Sequence, residues 1–303
     1  MTERIAVLFC HGGSFNKETW DPIVQRVLAS SLLERVPVEV LRLDWTYHGS
    51  KHNFDEPGEV YYLDDDKDLP RVKHACNEWT VWAPEELHAF VQSIRAEDEA
   101  LGRKTRLVGV GHSMGAASIM KVEMAYPGTF EGIVGFEPIC NSEMGPKIGK
   151  ILSTKMVTNT LARESEWDSW DDVLRYHNTS KAFHRWNEES KEAYLKGGIV
   201  KTPDGMFRLA CLPSQEAALY CHSIMTLGVE DHARMGCKMV YAHGGSTMLF
   251  SAKLTKTIAD ALPDQVFLSP AIIGRTHMMV VEDPESCAER IIKAFELFPV
   301  FRS

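Results

Sequence analysis

The chain has 303 residues, of which 44% are hydrophobic and 25% are charged, and its formal net charge is −9. This length and composition are typical of a globular protein that buries a full α/β core, as one large domain or as a core with an insertion. An acidic chain without a basic run argues against nucleic acid or an anionic membrane surface as a partner.

The sequence shows no secretory or membrane-spanning segment. Its first residues lead directly into the apolar run 5–9, which is too short for a signal peptide and has no cleavage site. No apolar run approaches the length of a membrane span, and the last three residues are not the peroxisomal signal S-K-L. The seven cysteines are odd in number, scattered and without a C-x-x-C pair. We therefore predict reduced thiols in a cytoplasmic protein.

Short apolar segments alternate with amphipathic segments through the first 140 residues. Strands are predicted at 5–10, 38–43, 106–110 and 132–137, and helices at 20–35, 84–101 and 116–126. Pro84 and Gly102 mark the start and the end of the second helix. Strand–helix–strand units of this length predict a parallel sheet. The stretch 45–82 has no clear period and is predicted to be a long surface loop.

The alternation stops after residue 140 and resumes near residue 236. The intervening segment is rich in aromatic residues and predicts helices at 167–177, 181–196 and 214–226. Strands at 238–242 and 265–269 follow, with helices at 251–262 and 283–297. These patterns predict an α/β fold with a doubly wound, mostly parallel sheet. Residues 1–140 and 236–303 form its predicted core, and residues 141–235 form a helical cap.

Residues 111–115 read G-H-S-M-G, which is a G-x-S-x-G motif. A predicted strand precedes the motif and a predicted helix follows it, and this context favours a nucleophile elbow. Such a turn raises the Ser113 hydroxyl out of the sheet, at the N-terminus of a helix whose free N–H groups can face an oxyanion. The alternative is a glycine-rich strand–helix turn with an incidental serine.

A serine nucleophile needs a base, and His277 is the predicted base. Folds with this elbow place serine, acid and histidine in that chain order, so the base is expected after the last strand. His277 lies in the loop between that strand and the C-terminal helix. The other reading is an ordinary polar loop residue. Four histidines are weaker candidates because of their positions: His112 in the elbow, His222 and His232 in the predicted cap, and His243 at the end of the preceding strand.

The usual loop for the acid, residues 243–250 after the next-to-last strand, contains no Asp or Glu. Glu137 ends the strand that follows the elbow helix, which is the other position used for the acid, and there it would hold His277 in the useful tautomer. We favour this role over a turn cap or a ligand of a backbone amide. Asp231, which precedes its strand, and Asp260, late in a helix, are distant second choices.

The oxyanion hole needs two backbone donors. We expect one from Met114, directly after the nucleophile, and the other from Gly13 or Ser14 in the loop after the first strand. The sequence has no P-loop and no G-x-G-x-x-G after that strand, so no nucleotide site is predicted. It also has no histidine pair at ligand spacing and no H-E-x-x-H, so no metal or other cofactor is predicted.

The chain resembles the α/β-hydrolase superfamily over nearly its whole length. The resemblance rests on His11-Gly12 with Trp20, Asp44 with His48-Gly49-Ser50, the elbow, and Thr276-His277 with Glu282-Asp283-Pro284. In the strand numbering of that fold, the cap would follow strand 6. Glu137-Pro138 and the stretch 194–220 are similar to a branch that includes toxin-biosynthesis hydrolases and a peroxisomal lipase. Members of this branch often have the Glu-Pro pair and lack the usual aspartate loop, which supports Glu137 as the acid.

The resemblance also separates this chain from epoxide hydrolases and haloalkane dehalogenases, which have Asp where Ser113 stands. It implies a serine hydrolase that cleaves a carboxylic ester or thioester through a Ser113 acyl-enzyme. The expected substrate is a small, mostly apolar acyl compound, and Trp167, Trp170 and Met206 are candidate pocket residues. Two alternatives stay open. The same triad could serve a C–C bond hydrolase, a lyase, an acyltransferase or a perhydrolase, or the chain could be a ligand receptor with little turnover.

Overall fold

The computed structural model describes residues 2–140, 146–221 and 225–302. Its strands are β1 (Thr2–Cys10), β2 (Val38–Leu43), β3 (Glu59–Tyr62), β4 (Pro70–Lys73), β5 (Arg103–His112), β6 (Gly132–Phe136), β7 (Glu166–Trp167), β8 (Ile199–Lys201), β9 (Phe207–Leu209), β10 (Lys238–Ala242) and β11 (Val266–Leu268). Its helices are α1 (Asp21–Leu28), α2 (Ser31–Arg35), α3 (Trp79–Leu101), α4 (Met114–Ala125), α5 (Pro146–Leu161), α6 (Trp170–Thr179), α7 (Glu188–Gly198), α8 (Pro213–Leu219), α9 (Val229–Ala233), α10 (Ala252–Ala261), α11 (Met279–Glu282) and α12 (Pro284–Phe295).

The central sheet has six strands in the order β11-β10-β6-β5-β1-β2, and every neighbouring pair is parallel. Side chains alternate between its two faces, as the pleat requires. Val7, Phe9 and Val110 pack with α1 and α12 on one face, whereas Leu8 and Leu107 pack with α3 and α4 on the other. Because both faces are covered, the strands are apolar where they cross the core, as in residues 6–10 of β1 and 107–111 of β5. The predicted doubly wound parallel sheet is confirmed.

Parallel pairing brings the carboxyl ends of four strands to one edge of the sheet. Cys10 of β1 lies opposite Gly111 of β5, and His112 lies opposite Phe136 of β6. Phe136 in turn lies opposite Ala242 of β10. The loops after β1, β5, β6 and β10 therefore meet at this edge, where ligands of open α/β sheets bind.

The prediction for residues 45–82 was incomplete, and the predicted start of the next helix was wrong. Part of the stretch forms the antiparallel hairpin of β3 and β4. Helix α3 begins at Trp79, so Pro84 lies inside the helix instead of at its start. Proline has no N–H to offer the carbonyl of Thr80, four residues earlier. Lys121 Nζ donates a hydrogen bond to that carbonyl at 2.6 Å.

The segment 146–235, here called the insert, differs from the purely helical segment that was predicted. It contains α5 to α9 and also a three-stranded antiparallel sheet in the order β7-β9-β8. Trp167 lies in β7, so the helix predicted from residue 167 begins only at Trp170. The helix α5 had no counterpart in the sequence prediction. The helix predicted over 214–226 ends at Leu219, and its residues 222–224, with the candidate His222, lie outside the described residues.

None of the helices in the described ranges is both long and apolar enough to cross a membrane. All seven cysteines are free thiols.

Candidate active site

Ser113 lies on a tight turn between β5 and α4. Its backbone has φ 54° and ψ −118°, a region that side-chain-bearing residues avoid because of steric strain. The close packing explains the flanking glycines. A Cβ at Gly111 would lie 2.5 Å from the amide nitrogen of Ala116, and one at Gly115 would lie 2.2 Å from the carbonyl oxygen of Cys10. The G-x-S-x-G motif therefore forms a strained, tightly packed turn between a strand and a helix, which is the backbone geometry expected of a nucleophile elbow.

Glu137 and His277 are 140 positions apart in the chain and are joined by a hydrogen bond of 2.7 Å between His277 Nδ1 and Glu137 Oε2. The Glu137 side chain is fully buried, whereas 15% of the His277 side chain is exposed. Because a carboxylate accepts, we assign the Nδ1 proton to this bond, which leaves Nε2 as the basic nitrogen.

The loop after β10 holds the Glu137 carboxylate from the other side. The Gly244 amide donates to Oε1 at 2.8 Å, and the Thr247 hydroxyl donates to Oε2 at 2.7 Å. A Cβ at Gly244 would lie 2.4 Å from the carbonyl oxygen of Arg275, so only glycine allows this loop to approach the loop that carries His277. The loop after β10, which contains no Asp or Glu, thus provides two hydrogen-bond donors to the carboxylate of Glu137, which follows the neighbouring strand β6.

His112, next to Ser113, contacts the loop of His277. Its Nε2 lies 2.9 Å from the carbonyl oxygen of His277, and the two rings are 4.8 Å apart. Burial, and then the nearby His277 ring, lower the pKa of His112 well below its usual value, so its imidazole is neutral. No hydrogen bond joins the Ser113 hydroxyl to His277 among the described residues, and such bonds often tighten only when substrate binds.

The loop after β1 passes beside Ser113. A Cβ at Gly12 would lie 3.1 Å from Ser113 Cβ, and Ser14 has a φ of 61°. The backbone N–H groups of Gly13, Ser14 and Met114 have no hydrogen-bond acceptor among the described residues. The Phe15 amide, in contrast, donates to the carbonyl of Gly12. The three amides predicted as oxyanion donors therefore have no competing acceptor among the described residues.

A buried polar group supports this loop from behind. Asp44 accepts hydrogen bonds from the backbone and side chain of Lys17, at 2.8 and 2.6 Å, and from Ser50. Burial alone would raise the pKa of Asp44, but the neighbouring His11 ring and these donors lower it to about 2. Trp45 Nε1 donates to the carbonyl of His11 at 2.8 Å. These residues include two of the motifs on which the family resemblance rests.

The insert contacts the same loop through aromatic and aliphatic side chains. Phe15 stacks on His112 with 5.6 Å between ring centroids, and it packs edge-on against Trp186 and Tyr194. Leu219 of α8 lies over Gly13. The sequence analysis did not single out Phe15 or Leu219 as site residues, and their short-range pattern carries no signal for this contact.

Arg185 of the insert is tied to the loop of His277. Its guanidinium donates to Glu282 Oε1 at 3.0 Å and to the carbonyl of Gly274. Glu282 also accepts from the amide and the hydroxyl of Thr276 at 2.7 and 2.8 Å. These bonds fix the residue that precedes His277.

The other candidates named from the sequence lie in different surroundings. The Trp167 ring packs at a tilt against Tyr176 and His177, 39% of Trp170 is exposed, and the Met206 carbonyl accepts from Thr202 in a turn. Asp231 accepts from the Gly228 amide, and Asp260 pairs with Lys256 on the surface. His232 bonds Tyr241, and the His243 ring packs on Phe250. Across the described ranges, no three His, Cys, Asp or Glu side chains converge as a metal site would require.

Comparisons with known proteins concern the family and the fold of the chain. The model of a family described as the alpha/beta hydrolase family matches residues 7–290. The fold is similar to that of the peroxisomal alpha-beta-hydrolase Lpx1 from Saccharomyces cerevisiae, with 15% identity, a TM-score of 0.71, and coverage of 100% of this chain and 78% of that chain. It is also similar to E-2-(acetamidomethylene)succinate hydrolase, with 16% identity, a TM-score of 0.66, and coverage of 97% and 92%.

A third similar structure is the thioesterase domain from the curacin biosynthetic pathway, with 14% identity, a TM-score of 0.60, and coverage of 96% of this chain and 91% of that chain. No curated protein sequence matches the chain significantly. At these identities the likeness to solved structures concerns the fold.

Proposed function

The chain belongs to the alpha/beta hydrolase family, and we propose that it is a serine hydrolase that cleaves a carboxylic ester or thioester through a Ser113 acyl-enzyme. The observation that carries the proposal is the 2.7 Å hydrogen bond between His277 Nδ1 and Glu137 Oε2, in loops that adjoin the elbow. A serine on a strained elbow becomes a nucleophile only when an oriented base is next to it, and this bond orients the base.

In the proposed acylation step, His277 Nε2 takes the proton from the Ser113 hydroxyl as Oγ attacks the acyl carbon. Glu137 stabilises the imidazolium that forms and stays ionised itself. The N–H of Met114 and that of Gly13 or Ser14 donate to the oxyanion of the tetrahedral intermediate. His277 then gives the proton to the leaving alcohol or thiol, and the acyl group remains on Ser113.

Deacylation repeats these steps with water as the nucleophile. His277 takes a proton from water, the hydroxide attacks the acyl carbon, and Ser113 leaves with the proton that His277 returns. The site needs no metal or organic cofactor for either step, because every proton moves between groups of the chain, the substrate and water.

We propose that residues 141–235 act as a cap over a core formed by residues 1–140 and 236–303. The support is the packing of Trp186, Tyr194 and Leu219 of the insert on the oxyanion loop. Side chains of this kind favour a small, mostly apolar acyl group beside Ser113.

Labelling with a fluorophosphonate probe tests the nucleophile. We expect one equivalent of probe on Ser113 and none on the Ser113→Ala variant. Equal labelling of the two proteins would reject Ser113 as the nucleophile. A second serine with an exposed hydroxyl, Ser246, provides a control, because Ser246→Ala should be labelled at the rate of the parent protein.

Turnover of p-nitrophenyl esters of increasing acyl length tests the reaction class. We expect hydrolysis with an optimum at one chain length, which measures the pocket. If Ser113 is labelled but no ester is hydrolysed, carbon–carbon, lyase or transfer chemistry, or a receptor role, replaces hydrolysis of esters as the function.

A further inference from the structure

The loop after β10, residues 243–250, contains no acidic residue, yet it contacts the carboxylate of Glu137 twice. Gly244 donates its amide to Oε1, and Thr247 donates its hydroxyl to Oε2. The second bond ends on the same oxygen that receives His277 Nδ1. Thr247 and His277 therefore share one acceptor atom, each at 2.7 Å.

The Glu137 carboxylate depends on these donors because it is not exposed to bulk solvent. Its residue is completely buried, and an ionised carboxylate without donors is strongly disfavoured in such a place. The described residues provide three donors, namely the Gly244 amide, the Thr247 hydroxyl and the His277 imidazole. The Glu137 backbone has a φ of 42°, a strained conformation that persists only when the surrounding contacts hold the residue in place.

Thr247 is itself held in place. Its Oγ1 accepts the amide of Leu249 at 3.2 Å, so the hydroxyl proton points away from that amide and toward Glu137. The loop as a whole is fixed to the loop of His277, since the Ser246 amide donates to the carbonyl of Arg275 at 2.9 Å. Among the described residues, the acceptor that this hydroxyl bonds is Glu137 Oε2.

We propose that Thr247 is a positioning residue of the active site, which acts through Glu137 to orient His277; this inference rests on the function proposed above. Its hydroxyl fixes which lone pair of Oε2 faces His277 Nδ1, and it withdraws part of the negative charge from that oxygen. The loop that usually holds the acid takes over a supporting role when the acid stands on the neighbouring strand.

Two variants of Thr247 test the hydroxyl separately from the packing. Thr247→Val keeps the shape and removes the donor, and we expect kcat to fall about tenfold to hundredfold with little change in KM, as for other hydrogen bonds to a charged group. Thr247→Ser keeps the donor and should retain most of the activity. Ser246→Ala is the matched control in the same loop. Activities are divided by the number of sites titrated with the fluorophosphonate probe, which removes any effect of misfolded protein.

The pH profile gives a readout that a purely structural role would not change. Without the Thr247 donor, Oε2 carries more negative charge, so the coupled Glu137–His277 pair takes up a proton more easily, whichever residue holds it. The acid limb of kcat/KM should therefore move to higher pH in Thr247→Val and stay unchanged in Thr247→Ser. An unmoved limb, or a Thr247→Ser variant as slow as Thr247→Val, overturns the proposal.

A double-mutant cycle with Glu137→Gln shows whether Thr247 acts through the carboxylate. We expect Thr247→Val to cause no further loss in the Glu137→Gln background. Additive losses, or a Thr247→Val variant within twofold of the parent when Glu137→Gln is slow, reject the inference and leave the proposed function intact. An active Glu137→Gln variant would reject Glu137 as the acid, and the role of Thr247 with it.

Discussion

Glu137 in the core and Glu216 in the insert are both buried glutamates, but their partners differ. Glu137 has neutral donors on both oxygens and the imidazole of His277. Glu216 forms an ion pair with the guanidinium of Arg163 and accepts the hydroxyl of Tyr220 at 2.9 Å. A guanidinium is always charged, so Glu216 is neutralised permanently, whereas the charge of Glu137 is balanced only when His277 gains a proton.

This difference separates a structural carboxylate from one that is able to serve chemistry. The charge on Glu137 stays available to stabilise an imidazolium, which is what the third member of a triad must do. The backbones differ in the same sense. Glu216 lies in the regular helix α8, whereas Glu137 has a positive φ, as do Ser14 and Ser113. Strain of this kind accumulates where positions are set by function and not by local propensity.

The largest expected effect on activity follows from a substitution of Glu137. Glu137→Gln should lower kcat/KM about 10³- to 10⁴-fold, because the amide no longer stabilises the charged imidazole. The melting temperature should also fall, because the side-chain NH₂ of glutamine would face a donor where a carboxylate oxygen accepted one. Steady-state hydrolysis of a p-nitrophenyl ester measures the first effect and calorimetry the second. Near-normal turnover would show that another carboxylate orients His277.

A fall in pH should lower the stability of the folded protein, because neutral histidines are buried around the site. Burial lowers the pKa of His11 to about 3 and that of His112 well below its usual value. Above pH 6.5 both are neutral in the folded and the unfolded chain. Below pH 6.5 these two histidines bind protons in the unfolded chain but stay neutral in the folded chain, so the unfolding free energy falls as pH falls.

Between pH 6.5 and 5 we expect each of these two histidines to cost about 2 kcal/mol of unfolding free energy. Urea unfolding at pH 7 and pH 5 measures the sum, and His112→Asn should show a smaller decrease because one such imidazole is missing. Equal stability at the two pH values would contradict the expectation.

Glu216→Gln tests whether the glutamate of the insert serves stability and not turnover. Removal of the charge leaves the guanidinium of Arg163 without its counter-ion, and we expect a loss of about 2 kcal/mol in unfolding free energy, since the pair is mostly but not wholly buried. The turnover per titrated site should stay within a few-fold of the parent. Glu192→Gln, at an exposed position of α7, is the control and should leave the stability unchanged. If Glu216→Gln were as inactive as Glu137→Gln, the two glutamates could not be separated into a structural and a catalytic carboxylate.

The smallest effect concerns Arg185, which joins the insert to the core. Arg185→Ala should lower kcat a few-fold, because Glu282 then keeps only the Thr276 donors that fix the loop of His277. The unfolding free energy should fall by about 0.5 kcal/mol or less, because 42% of the Arg185 side chain is exposed. Arg175→Ala, which breaks an exposed pair within α6, is the matched control for kcat. An equal kcat for the two variants would exclude this role of Arg185.

Local sequence patterns predicted many of the secondary-structure elements of the core. Short apolar runs between helical segments identified the six strands of the sheet, because strands that are covered on both faces are largely apolar where they cross the core. The cap of α12 by Asp283 was also predictable, since a side-chain cap needs only its own neighbours. The strands β7 to β9 were missed because they are two or three residues long, which is too short for a period to appear.

The start of α3 was misjudged for a different reason. Proline usually begins a helix, but here the carbonyl that Pro84 leaves without a backbone donor is four residues earlier and bonds Lys121 of α4. A contact with another helix thus overrides the preference of proline for the start of a helix. The residues around Pro84 give no sign of this contact.

By itself, the sequence determined the parallel sheet, the elbow around Ser113 and the candidates His277 and Glu137, because strand order and motif position restrict where chemistry can lie. Only the tertiary structure decided that Glu137 Oε2 meets His277 Nδ1 and that Thr247 donates to the same oxygen. Those three residues lie on loops after three different strands. Their meeting depends on how the strand ends converge at one edge of the sheet, and a linear pattern does not encode distances across that edge.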